Sequence, residues 1–89
     1  MTAKQLRLMR YICGYQEAHG KAPSFAAFER DGFTRHRTYD RLRALEAQGF
    51  VRLDRDIATG RVKARAIEVL RPVPVPHAPD GAPLWVVPL

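Results

Sequence analysis

Cys13 is the only cysteine, so an internal disulfide is excluded and a reducing compartment is expected. No apolar run approaches the roughly 20 residues that a membrane span needs, and the opening TAKQLRLMRY lacks a signal-peptide core. The expectation is a cytoplasmic chain without membrane contact. A single serine, Ser24, is accounted for as a helix cap. There is no glycine-rich phosphate loop, no carboxylate pair with a base nearby, no ligand-like spacing among Cys13, His19, His36 and His77, and no internal repeat. These absences argue against an enzyme, a cofactor and a metal ion. Eighty-nine residues leave room for one small domain with a modest core.

Acid is the other scarcity. Nine Asp and Glu stand against fifteen Lys and Arg, a net charge of +6, and twelve of the fifteen are Arg. Arg is favoured for forked contacts to phosphate and guanine, so the balance fits a polyanionic partner, or simply a soluble basic surface. Placement is more telling than the total. Residues 1 to 34 carry five basic and three acidic side chains, residues 35 to 65 nine and four, and residues 66 to 89 one and two. The middle third holds the positive charge.

That third begins with the stretch from Thr34 to Gly49, which reads as one capped basic helix. Thr34 is suited to accept a first-turn N–H through its hydroxyl, and Gly49 to the left-handed position past the end. Thr38, Leu42 and Leu45 recur at i, i+4 and i+7 and form a narrow seam for burial. His36, Arg37, Asp40, Arg43, Ala44 and Ala47 then face the other way, basic at the start of the helix and small further along. Small residues on an outward face admit a grooved surface closely; an ordinary solvated helix face is the plainer alternative.

Ahead of it, Thr2 and Gln5 form a capping box for a helix running to Ala18 or His19. Leu6, Leu8, Met9, Tyr11, Ile12, Cys13 and Tyr15 occupy most of its circumference, with Cys13 as core, and Arg7, Arg10, Gly14 and Glu17 make a thin polar strip. Gly20 and Pro23 end it. Ser24 caps a short second helix that contributes Phe25 and Phe28 to the same core. Asp31-Gly32 punctuates it and Phe33 anchors a tight turn, the sequence form of a helix-turn-helix.

After Gly49, Phe50 to Leu53 is a strand with Val51 and Leu53 on one side. Residues 57 to 60 allow a hairpin, Gly60 supplying the positive φ. The return strand alternates, with Arg61, Lys63 and Arg65 projecting from one face. Ile67 and Val69 break the phase, which a bulge near Ala66 would explain. From Arg71 the chain turns to RPVPVPHAPDGAPLWVVPL, which holds six of the seven prolines and reads as a tail or linker. Its apolar Leu84, Trp85, Val86 and Val87 are expected to dock on the domain, on a second copy to give a homodimer, or on a partner protein.

The order of these pieces is that of a winged helix-turn-helix. At residue level it resembles the DNA-binding domain of LexA-type repressors in Thr2-Ala3-Lys4-Gln5 with Tyr11-Ile12, Gly20, Pro23-Ser24, Gly32-Phe33, Leu42, Ala44-Leu45 and Gly49. The resemblance covers residues 2 to about 70 and implies an α+β, mainly α fold: three helices, a two-stranded hairpin wing, and a proline-rich tail over residues 71 to 89. It implies double-stranded DNA as partner and a nucleoid-associated, bacterial or phage setting. The family's base-reading positions fall on Thr34, His36, Arg37, Tyr39 and Asp40, where only Thr34 is a conservative match, so no operator sequence carries over. The segment around the second helix is about two residues shorter here. The peptidase domain through which such repressors cleave themselves and dimerise is not matched.

The site expected from these readings is Thr34, Arg35, His36, Arg37, Tyr39, Asp40, Arg41 and Arg43 at a major groove, with Arg61, Lys63 and Arg65 on phosphate. Arg37→Ala is expected to flatten sequence preference. Asp40 either accepts from a cytosine amino group or pairs with Arg43 or Arg37. The wing cations could instead be a charged strand edge that blocks aggregation. The leading function is sequence-specific transcription regulation, as repressor or activator; the alternative is a winged-helix module docking a protein through its tail.

Overall fold

The computed structural model describes residues 1 to 83, and the side chains of these except residues 62 to 66. Its order is α1 (Ala3–His19), α2 (Phe25–Arg30), α3 (Arg35–Ala47), β1 (Val51–Arg55) and β2 (Val62–Val69), an α+β arrangement of three helices and one antiparallel strand pair.

The helix boundaries follow from capping chemistry. The Thr2 hydroxyl accepts from the Gln5 N–H, and the Gln5 side chain accepts from the Thr2 N–H, both at 3.1 Å. Ser24 caps α2 by accepting from the Ala27 N–H. Gly49, at φ 80°, occupies the left-handed region that an L side chain enters only with strain, and so ends α3 and turns the chain into β1. Thr34 departs from expectation. It occupies the N-cap position of α3 and its carbonyl accepts from the Thr38 N–H, but its hydroxyl makes no cap bond.

Packing explains which faces were available. Leu8, Met9, Tyr11 and Ile12 of α1, Phe28 of α2, Phe33 of the turn, Leu42 and Leu45 of α3, and Val51 and Leu53 of β1 make one buried cluster. The expected seam of Thr38, Leu42 and Leu45 is completely buried. Tyr11 is its hub, with ring centroids 5.3 Å from Phe28 and 4.8 Å from Phe33. Its hydroxyl donates to Asp31 Oδ2 at 2.6 Å and lies 3.1 Å from the Ala27 carbonyl, which ties α1 to the end of α2.

In the hairpin, Val51 pairs with Val69 and Leu53 with Ile67, while Arg55 pairs with Val62. Two steps along β1 therefore face five along β2, a bulge of three extra residues and larger than expected. Ile67 and Val69 consequently pack on the core. At the tip, Asp56 Oδ1 accepts from the Ala58 and Thr59 N–H groups, Gly60 takes φ 69°, and Ile57 is fully exposed.

Three expectations on α1 and the tail need correction. Residues 71 to 83 do not leave as a linker. Arg71 donates to the carbonyls of Gln48 and Gly49 and stacks 4.1 Å over Phe50; Val73 packs on the core and bonds Cys13 through its backbone; His77 meets Glu17 at 2.8 Å. This stretch reaches α1 at Cys13 and Glu17. Of the residues read as a solvated strip, Gly14 is buried and Arg10 half-buried, while Cys13 is half-buried at the rim of the core rather than inside it. Burial still pushes the Cys13 thiol above its ordinary pKa, against a smaller opposing effect of the Val73 bond. The expected docking of Leu84, Trp85, Val86 and Val87 lies outside the described residues.

Candidate nucleic-acid interface

The turn of residues 31 to 34 sets α3 against α1 and α2 through its leucine seam, so the opposite face is left outward. Arg35, His36, Arg37, Asp40 and Arg43 are exposed, as is Thr34; Arg41, Tyr39 and Ala44 are half-buried. The helical spacing divides these side chains into two flanks and a crest.

On one flank, Arg35, His36 and Tyr39 line an open groove of about 520 Å³ together with Phe25 and Arg61. The Arg35 guanidinium lies 5.5 Å over the Phe25 ring, which holds it at the rim. Arg61 thereby brings the hairpin to the start of α3. The Lys63 and Arg65 side chains, expected beside it, lie outside the described residues; only their place on β2 is given. On the other flank, Arg37 and Arg41 line a cleft of about 230 Å³ with Lys4 and Arg7 of α1, over the turn of residues 32 to 34. Lys4 and Arg7 escaped the sequence reading. They lie some thirty residues from α3 in the chain, and their periodicity on α1 says only that they avoid its core.

The crest carries His36, Asp40, Arg43 and Ala47 at helical spacing. Asp40 pairs with His36, at 3.6 Å, and not with Arg43 or Arg37. The reason is competition: Arg43 lies 6.0 Å over the Tyr39 ring, and Arg37 is turned to the α1 cleft. With both partners mostly in solvent, this pair is weak.

Charge compensation is the feature that distinguishes this face. The other carboxylate of α3, Glu46, is engaged elsewhere. Its Oε1 accepts from Arg55 Nη2 at 2.7 Å, and its Oε2 from Arg55 Nη1 at 3.1 Å and the Leu53 N–H at 2.9 Å. The Arg55 guanidinium first, then the Leu53 N–H, hold the Glu46 carboxyl below the usual range. This clamp fixes β1 on the end of α3 and takes the acid away from the basic face. Arg35, Arg37, Arg41 and Arg43 form no ion pair among the described residues.

Such a surface can attract polyanions and fork onto phosphate or base edges. Among the described residues there is no group of three or more His, Cys, Asp or Glu able to hold a metal ion, and no helix long and apolar enough to cross a membrane. Compared with known protein families, curated proteins and solved structures, the chain finds no match.

Proposed function

We propose that the chain is a sequence-specific regulator that binds double-stranded DNA as a winged helix-turn-helix, similar in plan to the DNA-binding domain of LexA-type repressors. In this reading α2 and α3 are the helix pair, the crest of α3 enters the major groove, and the β1–β2 hairpin is the wing. The observation that carries it is the basic face of α3: four arginines without ion-pair partners among the described residues, on a helix whose Glu46 is engaged by Arg55 and whose Asp40 lies beside His36. A solvated helix face usually balances its charge with i, i+4 pairs; here the one such pair among the described residues is the exposed His36–Asp40 contact, and it involves none of the four arginines. The groove shared by Arg35, His36 and Arg61 adds a second support, because a wing cation stands where a flanking phosphate strand would run.

The groups on the crest suit base edges. Arg43 can fork onto guanine O6 and N7, His36 can donate to either acceptor, and Ala47 leaves room for a thymine methyl. Fluorescence anisotropy on a random-sequence duplex, repeated at rising salt, tests the proposal. Affinity should fall by about a thousandfold or more between 50 and 200 mM salt if six or more phosphates are engaged. Binding that ignores salt, or is absent at low salt, would sink the reading and leave the protein-docking module in its place.

A further inference from the structure

The cleft on the α1 side of α3 is not used by the crest or by the wing, and its chemistry is unusually one-sided. Lys4 and Arg7 approach from the first turns of α1, Arg37 and Arg41 from successive turns of α3, and residues 32 to 34 form the floor. No carboxylate of the described residues lines it. Lys4, Arg37 and Arg41 have no ion-pair partner among the described residues, and Arg7 is held in place 4.8 Å over the Phe33 ring.

The floor has the same polarity. The first-turn N–H groups of α3 have no intrahelical acceptor, as in any helix, yet here the Thr34 hydroxyl does not cap them and no acid stands in the first turn. α1 and α2 both satisfy theirs through Thr2 and Ser24. The one helix start without a side-chain cap is thus the one ringed by four cations.

We propose that this cleft takes a backbone phosphate of a DNA duplex, with Lys4, Arg7, Arg37 and Arg41 as its charged walls and the Thr34 hydroxyl and adjacent N–H groups beneath. The proposal rests on the DNA-binding reading above and extends it to α1. The groove lined by Arg61 and this cleft lie on opposite flanks of α3, the arrangement needed to grip the two phosphate strands that border one major groove. Arg37 accordingly acts on phosphate, not on bases as the sequence alone suggested, and base reading falls to the crest.

The test compares the wild type with Lys4→Gln, Lys4→Gln/Arg41→Gln, and a control, Lys21→Gln. Lys21 is an exposed cation beyond the far end of α1, about 25 Å away along a 17-residue helix. Circular dichroism establishes that each variant folds. The slope of log affinity against log salt should become shallower by about one unit for Lys4→Gln and about two for the double variant. Affinity should fall on all duplexes alike, with their order of preference unchanged, and the control should match the wild type. A wild-type slope in both cleft variants overturns the phosphate site while the DNA reading stands. A changed order of preference also overturns it, because the cations would then read bases. A wild type with no salt-dependent duplex binding removes both proposals together. Titration with inorganic phosphate alone, at constant ionic strength, separates the sources. Saturable shifts of the amides of residues 32 to 37 with phosphate, unaltered by duplex, would make this a site for a small anion and overturn the assignment.

Discussion

Replacing Tyr11 by Phe removes one oxygen from the centre of the molecule and nothing else. Its hydroxyl ties α1 to the end of α2, donating to Asp31 at 2.6 Å with the Ala27 carbonyl beside it at 3.1 Å. A hydrogen bond to a charged group contributes about 1.5–3 kcal/mol net. Asp31 keeps about a fifth of its side chain in water, which can partly replace the lost donor, so the lower half of that range applies. The Ala27 carbonyl, which also accepts from the Asp31 N–H, is not orphaned. A loss of about 2 kcal/mol follows, or roughly 8–16 °C in Tm for a chain of this size.

The pH dependence gives the same prediction a second edge. The Tyr11 hydroxyl first, then Arg30, hold the Asp31 carboxyl below its ordinary pKa. A carboxyl depressed on folding contributes stability that is present above its unfolded pKa, near 3.9, and is lost as pH falls through the lower folded value. In Tyr11→Phe that contribution shrinks, so the gap between wild type and variant should narrow between about pH 4 and pH 2. At the other end, burial and then Asp31 raise the Tyr11 pKa well above its usual value. The wild type should therefore lose stability above about pH 10 in a way the variant does not. Thermal melts by circular dichroism across this range measure all of it. A Tm within about 2 °C of wild type at pH 7, or a gap constant down to pH 2, would refute the reasoning.

Other consequences follow from single contacts. Thr38 Oγ1 is buried with no hydrogen-bond partner among the described residues, so the isosteric Thr38→Val should stabilise the fold by up to about 1–3 kcal/mol of recovered desolvation and raise Tm, and a lowered Tm would mean that the hydroxyl is satisfied. Leu42→Ala, at a fully buried seam position, should cost about 2–5 kcal/mol by urea titration; a cost under about 1 kcal/mol would show α3 loosely docked. Arg43→Ala should change which duplexes are preferred and leave the salt slope nearly intact, the reverse of Lys4→Gln.

What could be read in advance was whatever is local along the chain. The capping box at Thr2, the Ser24 cap, the Gly49 stop and the buried Thr38, Leu42 and Leu45 all follow from spacings of a few residues, and the structure contains each of them. The phase break at Ile67 and Val69 was readable for the same reason, though not the size of the bulge. Misreadings arose where distant segments meet. Arg71 lies beside Gly49 because its guanidinium finds both the Phe50 ring and the carbonyls of Gln48 and Gly49 just past α3, a contact with no periodic signature. Residues 73 to 77 cover Cys13 and Glu17, which the pattern of α1 alone assigned to core and solvent. Asp40 had three cations within helical reach, and the choice of His36 depended on where the two arginines had gone. Lys4 and Arg7 entered the candidate site only through the crossing of α1 and α3.

The central claim is that the outward side of α3 distinguishes one DNA sequence from another. Iterative selection from a random duplex library, with the wild-type chain as bait at moderate salt, measures this directly. Convergence within a few rounds on a short shared motif, no longer enriched when Arg43→Ala is the bait, is the predicted result. A pool that stays random while still being retained, or that is not retained at all, would contradict it.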